Sequence, residues 1–407
     1  VKKSVDDLAM FGGRPAFDRE VCVGRPSPIA KKRFFERIET VLDSGRLTND
    51  GPTVRELEFR LSALLGVRAC VAVSSGTVGL QIAARAAGLT GAVIVPAFTF
   101  VATAHALDWI GLRPVFCDVE PGSLTLDPAR VEELLESDVR GILGVHLWGR
   151  SCDVAGLDEI ARGRGLVLFF DAAHALGSSR EGSPIGGSGH TEVFSLHATK
   201  ALHSFEGGFI ATNDDEVARI ARRMRNFGLE KPDLPEGPGT NGKMTEVAAA
   251  MGLVSLDRMG EIEVTNRARL ALYRDRLDRL PGARMRPDPD GLSTMAQFAV
   301  LEIEEDCPIG RDLLAELLRA EGVGVRRYFW PGCHRCEPYS SREPRSDARF
   351  PVTEWAARRF LSLPTGTAIE KEDVERVSDL IRFSVERGEE IRAWMRKQRT
   401  SCRLETI

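Results

Sequence analysis

The sequence predicts an α/β protein whose sheet is largely parallel and covered by helices on both faces. Three observations predict it. Short, almost continuously apolar runs recur up to Thr212, helix-period segments separate them, and polar clusters fall where the runs end. A strand with one wet face alternates apolar and polar residues, so a run apolar throughout is buried on both faces. Ligands of such sheets bind at the carboxyl ends of the strands.

Ala69–Val73 reads as the first strand, followed by a helix from about Gly76 to Ala87. Val93–Pro96 is the next strand, then a helix over Ala102–Ile110 and a strand over Pro114–Asp118. Val131–Leu135 is helical, Gly141–His146 a strand, Leu157–Ala161 helical and Leu166–Phe170 a strand. Val193–Leu196 and Phe209–Thr212 add two more. The Pro- and Gly-rich stretch Glu230–Gly242 is a long loop of the kind usually kept for function. Met244–Leu280 then reads as mainly helical. After Pro281–Pro289 an alternating α and β pattern runs to about Arg387, and the tail from Arg396 is expected to fray. The expected division is a large domain over 1–265, carrying the N-terminal segment, and a smaller C-terminal domain over 266–407.

Composition narrows the function classes. A chain of 407 residues exceeds what one core usually supports. A formal charge of −4 without a basic block argues against nucleic acid or an anionic membrane as the main partner. No apolar run approaches the ~20 residues that span a bilayer, and the N-terminus lacks the apolar stretch of a signal peptide, so the expected location is cytoplasmic. The eight cysteines are scattered, unlike a secreted disulfide framework. Cys333 and Cys336 have metal-ligand spacing but no second pair, so free thiols and no metal are expected.

Lys200 is the residue around which chemistry gathers. The chain has nine lysines, and Lys200 is alone between Lys32 and Lys231. It follows the strand ending near Ser195 and precedes the turn Phe205-Glu206-Gly207-Gly208. A lone amine at a strand end, among Ser, Thr and His, suits a Schiff-base lysine with a lowered pKa. Most lysines are only solvated charges, so its neighbours decide. Ser74-Ser75-Gly76-Thr77 lies between a strand and a helix, where free N–H groups and the helix dipole favour a phosphate. The same residue types also serve as a plain helix cap. Asp171 leaves a buried strand and needs a partner, either backbone amides or a protonated pyridine nitrogen, which it would hold as an electron sink. Phe98 and Phe100 follow another strand end and suit either a flat cofactor or the core.

A phosphate cup, an aromatic, an acid and a lysine on successive strand ends are the parts that hold pyridoxal phosphate. The chain resembles the DegT/DnrJ/EryC1/StrS family of pyridoxal-phosphate sugar aminotransferases. The matching segments are Ser75-Gly76-Thr77, Pro96–Phe100, Asp171-Ala172-Ala173-His174, Ser195–Lys200, Glu206-Gly207-Gly208 and Thr240–Met244. Within the family it is most similar to the dTDP-4-keto-6-deoxyglucose 4-aminotransferases of deoxyaminosugar routes such as desosamine, through Leu8–Gly13, Gly144–Arg150, Tyr328–His334 and Leu361–Ile369.

The resemblance implies the aspartate-aminotransferase fold (fold type I), with a mixed, mostly parallel seven-stranded sheet, a smaller C-terminal α/β domain and a homodimer with shared sites. It implies Lys200, Asp171 and His174 as catalytic residues, with His174 near the ring hydroxyl. Phe100 would stack on the ring, and Ser75, Gly76, Thr77 and Ser195 would hold the phosphate with Asn241 of the second subunit. Lys243, Tyr328 and His334 would meet substrate, although His334 suits a structural role equally. Lys243 stands where many relatives carry Arg and, acting like Asn241 from the second subunit, would bind the donor's carboxylate or the substrate's phosphates. Phe205 replaces a frequent Gly, which is expected to narrow the site near Lys200. L-Glutamate would be the donor and a dTDP-linked 4-keto-6-deoxysugar the acceptor. Amination at C3 of a 3-keto isomer keeps the same parts. A sensor that binds the cofactor without turnover would be inert to glutamate. The family's dehydratases have His at the lysine position, which Lys200 argues against.

Overall fold

The apolar runs form one sheet. The computed structural model describes residues 2–231, 234–342 and 349–404, without the side chains of 398–404. The central strands are β1 (Ala69–Val73), β2 (Ala92–Pro96), β3 (Arg113–Cys117), β4 (Val139–Val145), β5 (Val167–Asp171), β6 (Thr191–Ser195) and β7 (Gly208–Thr212). They lie in the order β1-β7-β6-β5-β4-β2-β3. β3, β2, β4, β5 and β6 pair in parallel, whereas β7 runs antiparallel to both β6 and β1.

Alternate residues of each strand serve opposite faces. Val71 and Val73 of β1 pack with Val93 and Val95 of β2 under α2 (Gly76–Ala86), α3 (Val101–Trp109) and α5 (Asp215–Met224). Cys70 and Ala72 face the other way, with Phe194, Phe209 and Leu57, under α1 (Pro52–Leu65) and α6 (Glu246–Asp257). Ile94, Ile142 and Phe170 meet Leu157 and Ala161 of α4 (Val154–Arg164). Each fully buried Val, Leu, Ile or Phe contributes roughly 1.5–3 kcal/mol relative to exposure, so the sheet is a rigid base for what its strand ends carry.

The C-terminal part has its own small sheet. β8 (Ala283–Met285), β9 (Ala299–Ile303) and β10 (Phe360–Leu363) pair antiparallel. Leu270 and Tyr273 of α7 (Met259–Arg276), Leu314 of α8 (Arg311–Ala320) and Val377 of α9 (Lys371–Glu386) fill the core beside it. Val5, Leu8, Phe17 and Val21 lie in this same core, and Val21 pairs in parallel with Val323. We therefore propose that the division near residue 265 leaves the first twenty or so residues with the C-terminal unit. The expected tail continues as helix from Gly388 to Leu404, and residues 405–407 lie outside the described residues, as do Pro232 and Asp233 of the long loop.

Candidate active site

Lys200 sits in the connection that turns β6 back into β7. β7 returns antiparallel to β6 across a twelve-residue connection that carries no helix. The amide of Leu196 donates to the Gly207 carbonyl at 2.8 Å and that of Ser204 to the Leu196 carbonyl at 2.8 Å, which close the base of the loop. Lys200 then projects over the carboxyl ends of the strands. It lines a cleft of about 320 Å³ with Ser75, Gly76, Thr77, Phe100, Asp171, His174 and Ser195. Burial draws its amine down to about 8, and the Asp171 charge only partly opposes this.

Asp171 ends β5 and is 7% exposed. Its Oδ2 accepts from Thr103 Oγ1 at 2.8 Å and its Oδ1 from the Ala173 amide at 3.1 Å. Because the Thr103 proton goes to Asp171, Thr99 supplies the proton of the 2.9 Å bond between the two threonines. Burial pushes the carboxyl above the ordinary carboxylate range, against the pull of Thr103, Ala173 and the Lys200 charge. Among the described residues no cation lies within 4 Å of it. A buried carboxylate in that condition favours a cationic partner.

His174 follows on the same strand end. Its Nδ1 accepts from the Trp148 amide at 3.3 Å, so the neutral ring carries its proton on Nε2. Trp148 has φ 54°, in the left-handed region. Burial first, then the Lys200 charge, hold the imidazole well below its usual pKa. The ring stacks on Phe329 at 6.0 Å with 7° between planes and packs on Phe298 at 4.5 Å. Behind Asp171, the His146 amide donates to the Asp171 carbonyl at 3.0 Å. The His146 side chain is buried against Glu192, Nε2 to Oε2 at 3.2 Å, while its Nδ1 accepts from the Cys152 amide.

The candidate anion cup is the N-terminus of α2. Ser75 caps it, its hydroxyl accepting from the Val78 amide at 3.2 Å. The N–H groups of Gly76 and Thr77 have no intrahelical acceptor and point toward the cleft end of the helix. The cup is packed hard against the Lys200 loop. A Cβ on Gly208 would lie 2.6 Å from the Gly76 nitrogen, and one on Gly76 would lie 3.2 Å from Ser195 Cβ. Phe100, 54% exposed at the cap of α3, stands over the opening 6.2 Å from Phe329, and Tyr328 shares the wall.

The expectation puts Asn241 and Lys243 in a second subunit's site, and two other residues, His334 and Phe205, lie elsewhere than expected. Within one chain Asn241 and Lys243 do not line this cleft. Asn241 is exposed and bridges Asn226, while Lys243 Nζ donates to Asn226 Oδ1 at 3.0 Å and sits 4.2 Å over the Phe227 ring. The Gly242 carbonyl between them accepts from the Ser74 amide at 2.8 Å, beside the anion cup. His334 is also outside the cleft. Its Nε2 bonds Glu354 Oε1 at 3.0 Å and its ring packs on Phe350, which is the structural role. Phe205 does not narrow the site either: it takes φ 65°, where a glycine is at ease, and turns its ring onto Phe34 at 5.5 Å. Sequence reasoning missed Thr103, Phe298 and Phe329. Thr103 carried one signal, a second hydroxyl four residues after Thr99 on a helix start.

The fit of pyridoxal phosphate follows from these contacts. A buried carboxylate without a cation, free helix N–H groups and a lowered lysine amine stand in one cleft, with an aromatic at its opening. Each matches one part of that cofactor: the pyridine nitrogen, the phosphate, the carbonyl carbon and the ring face.

Comparison with known proteins agrees. The model of the DegT/DnrJ/EryC1/StrS aminotransferase family matches residues 28–382. The dTDP-4-amino-4,6-dideoxy-D-glucose transaminase of Shigella dysenteriae is 32% identical over 366 residues, 90% of this chain and 99% of the relative. The protein of the same description from Escherichia coli is 31% identical over 89% of this chain and 98% of the relative. Among solved structures, DesI in the presence of its TDP-sugar product superposes with a TM-score of 0.93 at 48% identity, covering 97% of this chain and 100% of that one.

Proposed function

This chain belongs to the DegT/DnrJ/EryC1/StrS aminotransferase family, and we propose that it transfers an amino group from L-glutamate to C4 of dTDP-4-keto-6-deoxy-D-glucose. It is a pyridoxal-phosphate aminotransferase acting on a nucleotide-linked sugar. The observation that carries the reading is the Lys200 amine at about 8 sharing one cleft with Asp171 and the N-terminus of α2.

When bound, the cofactor supplies the carbonyl that takes up nitrogen and the ring that delocalises charge. The chain does the rest. With a pKa of about 8, about one tenth of the Lys200 amine is unprotonated at pH 7, enough to act as nucleophile and proton carrier. Asp171 holds the pyridine nitrogen charged, oriented by Thr103 and Ala173. Neutral His174, proton on Nε2, donates toward the ring hydroxyl. Ser75, Gly76, Thr77 and Ser195 hold the phosphate, and Phe100 covers the ring. Asn241 and Lys243 would act from a second copy of the chain, which suits their separation from Lys200 within one copy. The C4 assignment draws on the relatives named for a 4-amino sugar. Moving the carbonyl one ring carbon displaces the reacting atom from Lys200, and such misplacement can cost ~10²-fold. Competition between dTDP-4-keto-6-deoxyglucose and its 3-keto isomer, read by product NMR, should give nitrogen at C4. Predominant nitrogen at C3 would replace the acceptor and leave the aminotransferase intact.

A further inference from the structure

Lys200 has a second side. Beyond the cleft it forms part of a small chamber of about 50 Å³, lined also by Arg25, Asn266, Gln297, Tyr328 and Thr365. That is the room of one or two waters, enough for the three atoms of a carboxylate and too little for a diphosphate. We infer that this chamber binds the α-carboxylate of the amino donor, with Arg25 as its counter-charge. The inference rests on the reading of the enzyme as an amino-acid-dependent transaminase, and it places the donor's carboxylate at Arg25 instead of Lys243.

Four observations support it. The chamber is lined by Arg25, His174 and Lys200 and, among the described residues, by no Asp or Glu, whereas the main cleft, which shares His174 and Lys200, also carries Asp171 and Glu206 on its wall. Arg25 is free to take a charge. Its guanidinium donates to the Glu20 carbonyl, and among the described residues no carboxylate lies within 4 Å of it. Two buried side chains of the wall have polar atoms without a partner among the described residues: Asn266, 1% exposed, at Oδ1, and Thr365, 8% exposed, at Oγ1. The Thr365 hydroxyl can donate to a carboxylate, and Asn266 Oδ1 can accept from a water that travels with it.

The fourth observation is how the strap carrying Arg25 is held. Gly24 has φ +78° and lies so close to the Lys200 loop that a Cβ would stand 3.1 Å from Thr199 Cβ. The Val23 amide donates to the Gly324 carbonyl at 2.8 Å, and Gln297 Nε2 donates to the Thr199 carbonyl at 3.2 Å. The strap thus lies against the Lys200 loop at Gly24 and is tied at Val23, and Gln297 of the same wall is tied to that loop. A donor must bring its nitrogen to the place of the lysine amine, and its carboxylate hangs one carbon away. An anion site sharing a wall with Lys200 meets that requirement.

The test uses the cofactor-loaded protein and the variants Arg25→Gln, Arg25→Lys, Thr365→Val and Lys243→Gln. Glutarate, a dicarboxylate without an amino group, serves as a binding probe by thermal shift. The two half-reactions are followed separately by cofactor absorbance. We expect Arg25→Gln to lose the glutarate shift and to raise the glutamate KM ten- to a hundredfold, as for a lost charge-assisted contact. The KM for the keto-sugar should stay within about twofold, and Arg25→Lys should recover part of the loss. A smaller rise in Thr365→Val would fit the same site. A rise in keto-sugar KM in Arg25→Gln, or an unchanged glutamate KM while Lys243→Gln raises it, would overturn the inference. The donor reading fails separately, if the wild type ignores glutamate. If it accepts another amino acid, the chamber is tested by that donor's KM in Arg25→Gln. If it accepts none, glutarate binding that survives Arg25→Gln overturns the chamber.

Discussion

At the residue scale, the same burial acts oppositely on an amine and a carboxyl, and the site uses both. It lowers Lys200 to about 8 and raises Asp171, so each is held away from the charge it would carry in water. For Lys200 the linkage can be measured. An amine whose folded pKa lies below its ordinary 10.5 binds fewer protons folded than unfolded between about pH 8 and 10.5. Its cost to stability is full below pH 8 and is relieved as pH rises through that window. Without cofactor, the melting temperature of the wild type should therefore gain on that of Lys200→Met from pH 8 to 10.5. A constant difference would mean that Lys200 titrates like a surface amine. For Asp171, asparagine is nearly isosteric and keeps the Ala173 contact through Oδ1, while its NH2 can donate to Thr103 once that hydroxyl turns its proton to Thr99, but it cannot balance a charged pyridine nitrogen. Asp171→Asn should keep the fold and lose about 10²-fold or more in kcat. A kcat near wild type would leave Asp171 a structural residue.

At the scale of elements, the cup works because two backbones touch. α2 begins against the turn that leads into β7, and Gly208 is the contact. Gly208→Ala would drive a methyl to 2.6 Å from both the Gly76 nitrogen and the Phe194 carbonyl oxygen, so the helix start must move. Cofactor affinity should fall at least tenfold by spectroscopic titration, with a lower melting temperature. Gly163 in α4 is the control: a Cβ there meets nothing within 4 Å, so Gly163→Ala should leave affinity unchanged and gain about 0.5–1 kcal/mol from helix propensity. Equal behaviour of the two variants would show that contact at Gly208 is not what shapes the cup. The strands of this region were legible from their apolar runs to within two residues, and the ends missed are largely those where the strand begins on polar residues, as at Arg113, Arg140, Thr191 and Glu192. The direction of β7 was not legible.

At the scale of the molecule, Asn241 and Lys243 hang from the Arg225 end of the long loop, with the Gly242 amide donating to the Arg225 carbonyl at 2.9 Å. Arg225 is itself buried and paired with Glu58 and Asp50. The segment is thus fixed at its base while the Asn241 and Lys243 side chains miss the cleft of their own chain. If they serve a second copy, mixing inactive Lys200→Ala with inactive Asn241→Ala should restore activity, since one site of each mixed dimer is intact. A mixture that stays inactive after proven subunit exchange would remove the shared site.

The sequence by itself determined the sheet strands and the order of the polar clusters along them, and it put Lys200, Asp171 and Ser75–Thr77 forward as candidates. These are properties of local runs and spacing, and the chemistry of a lysine or an aspartate is visible without knowing its neighbours. Tertiary structure alone decided the rest. It set β7 antiparallel, because periodicity reports which faces are buried and not which way a strand runs. It gave Thr103 to Asp171 and the Trp148 amide to His174, across separations of 68 and 26 residues. It took His334 out of the site and turned Phe205 away, and it closed an acid-free chamber behind Lys200 from Arg25, Asn266 and Thr365. Contacts of that kind depend on which strand ends and loops meet in space, and no local pattern in the chain encodes that meeting.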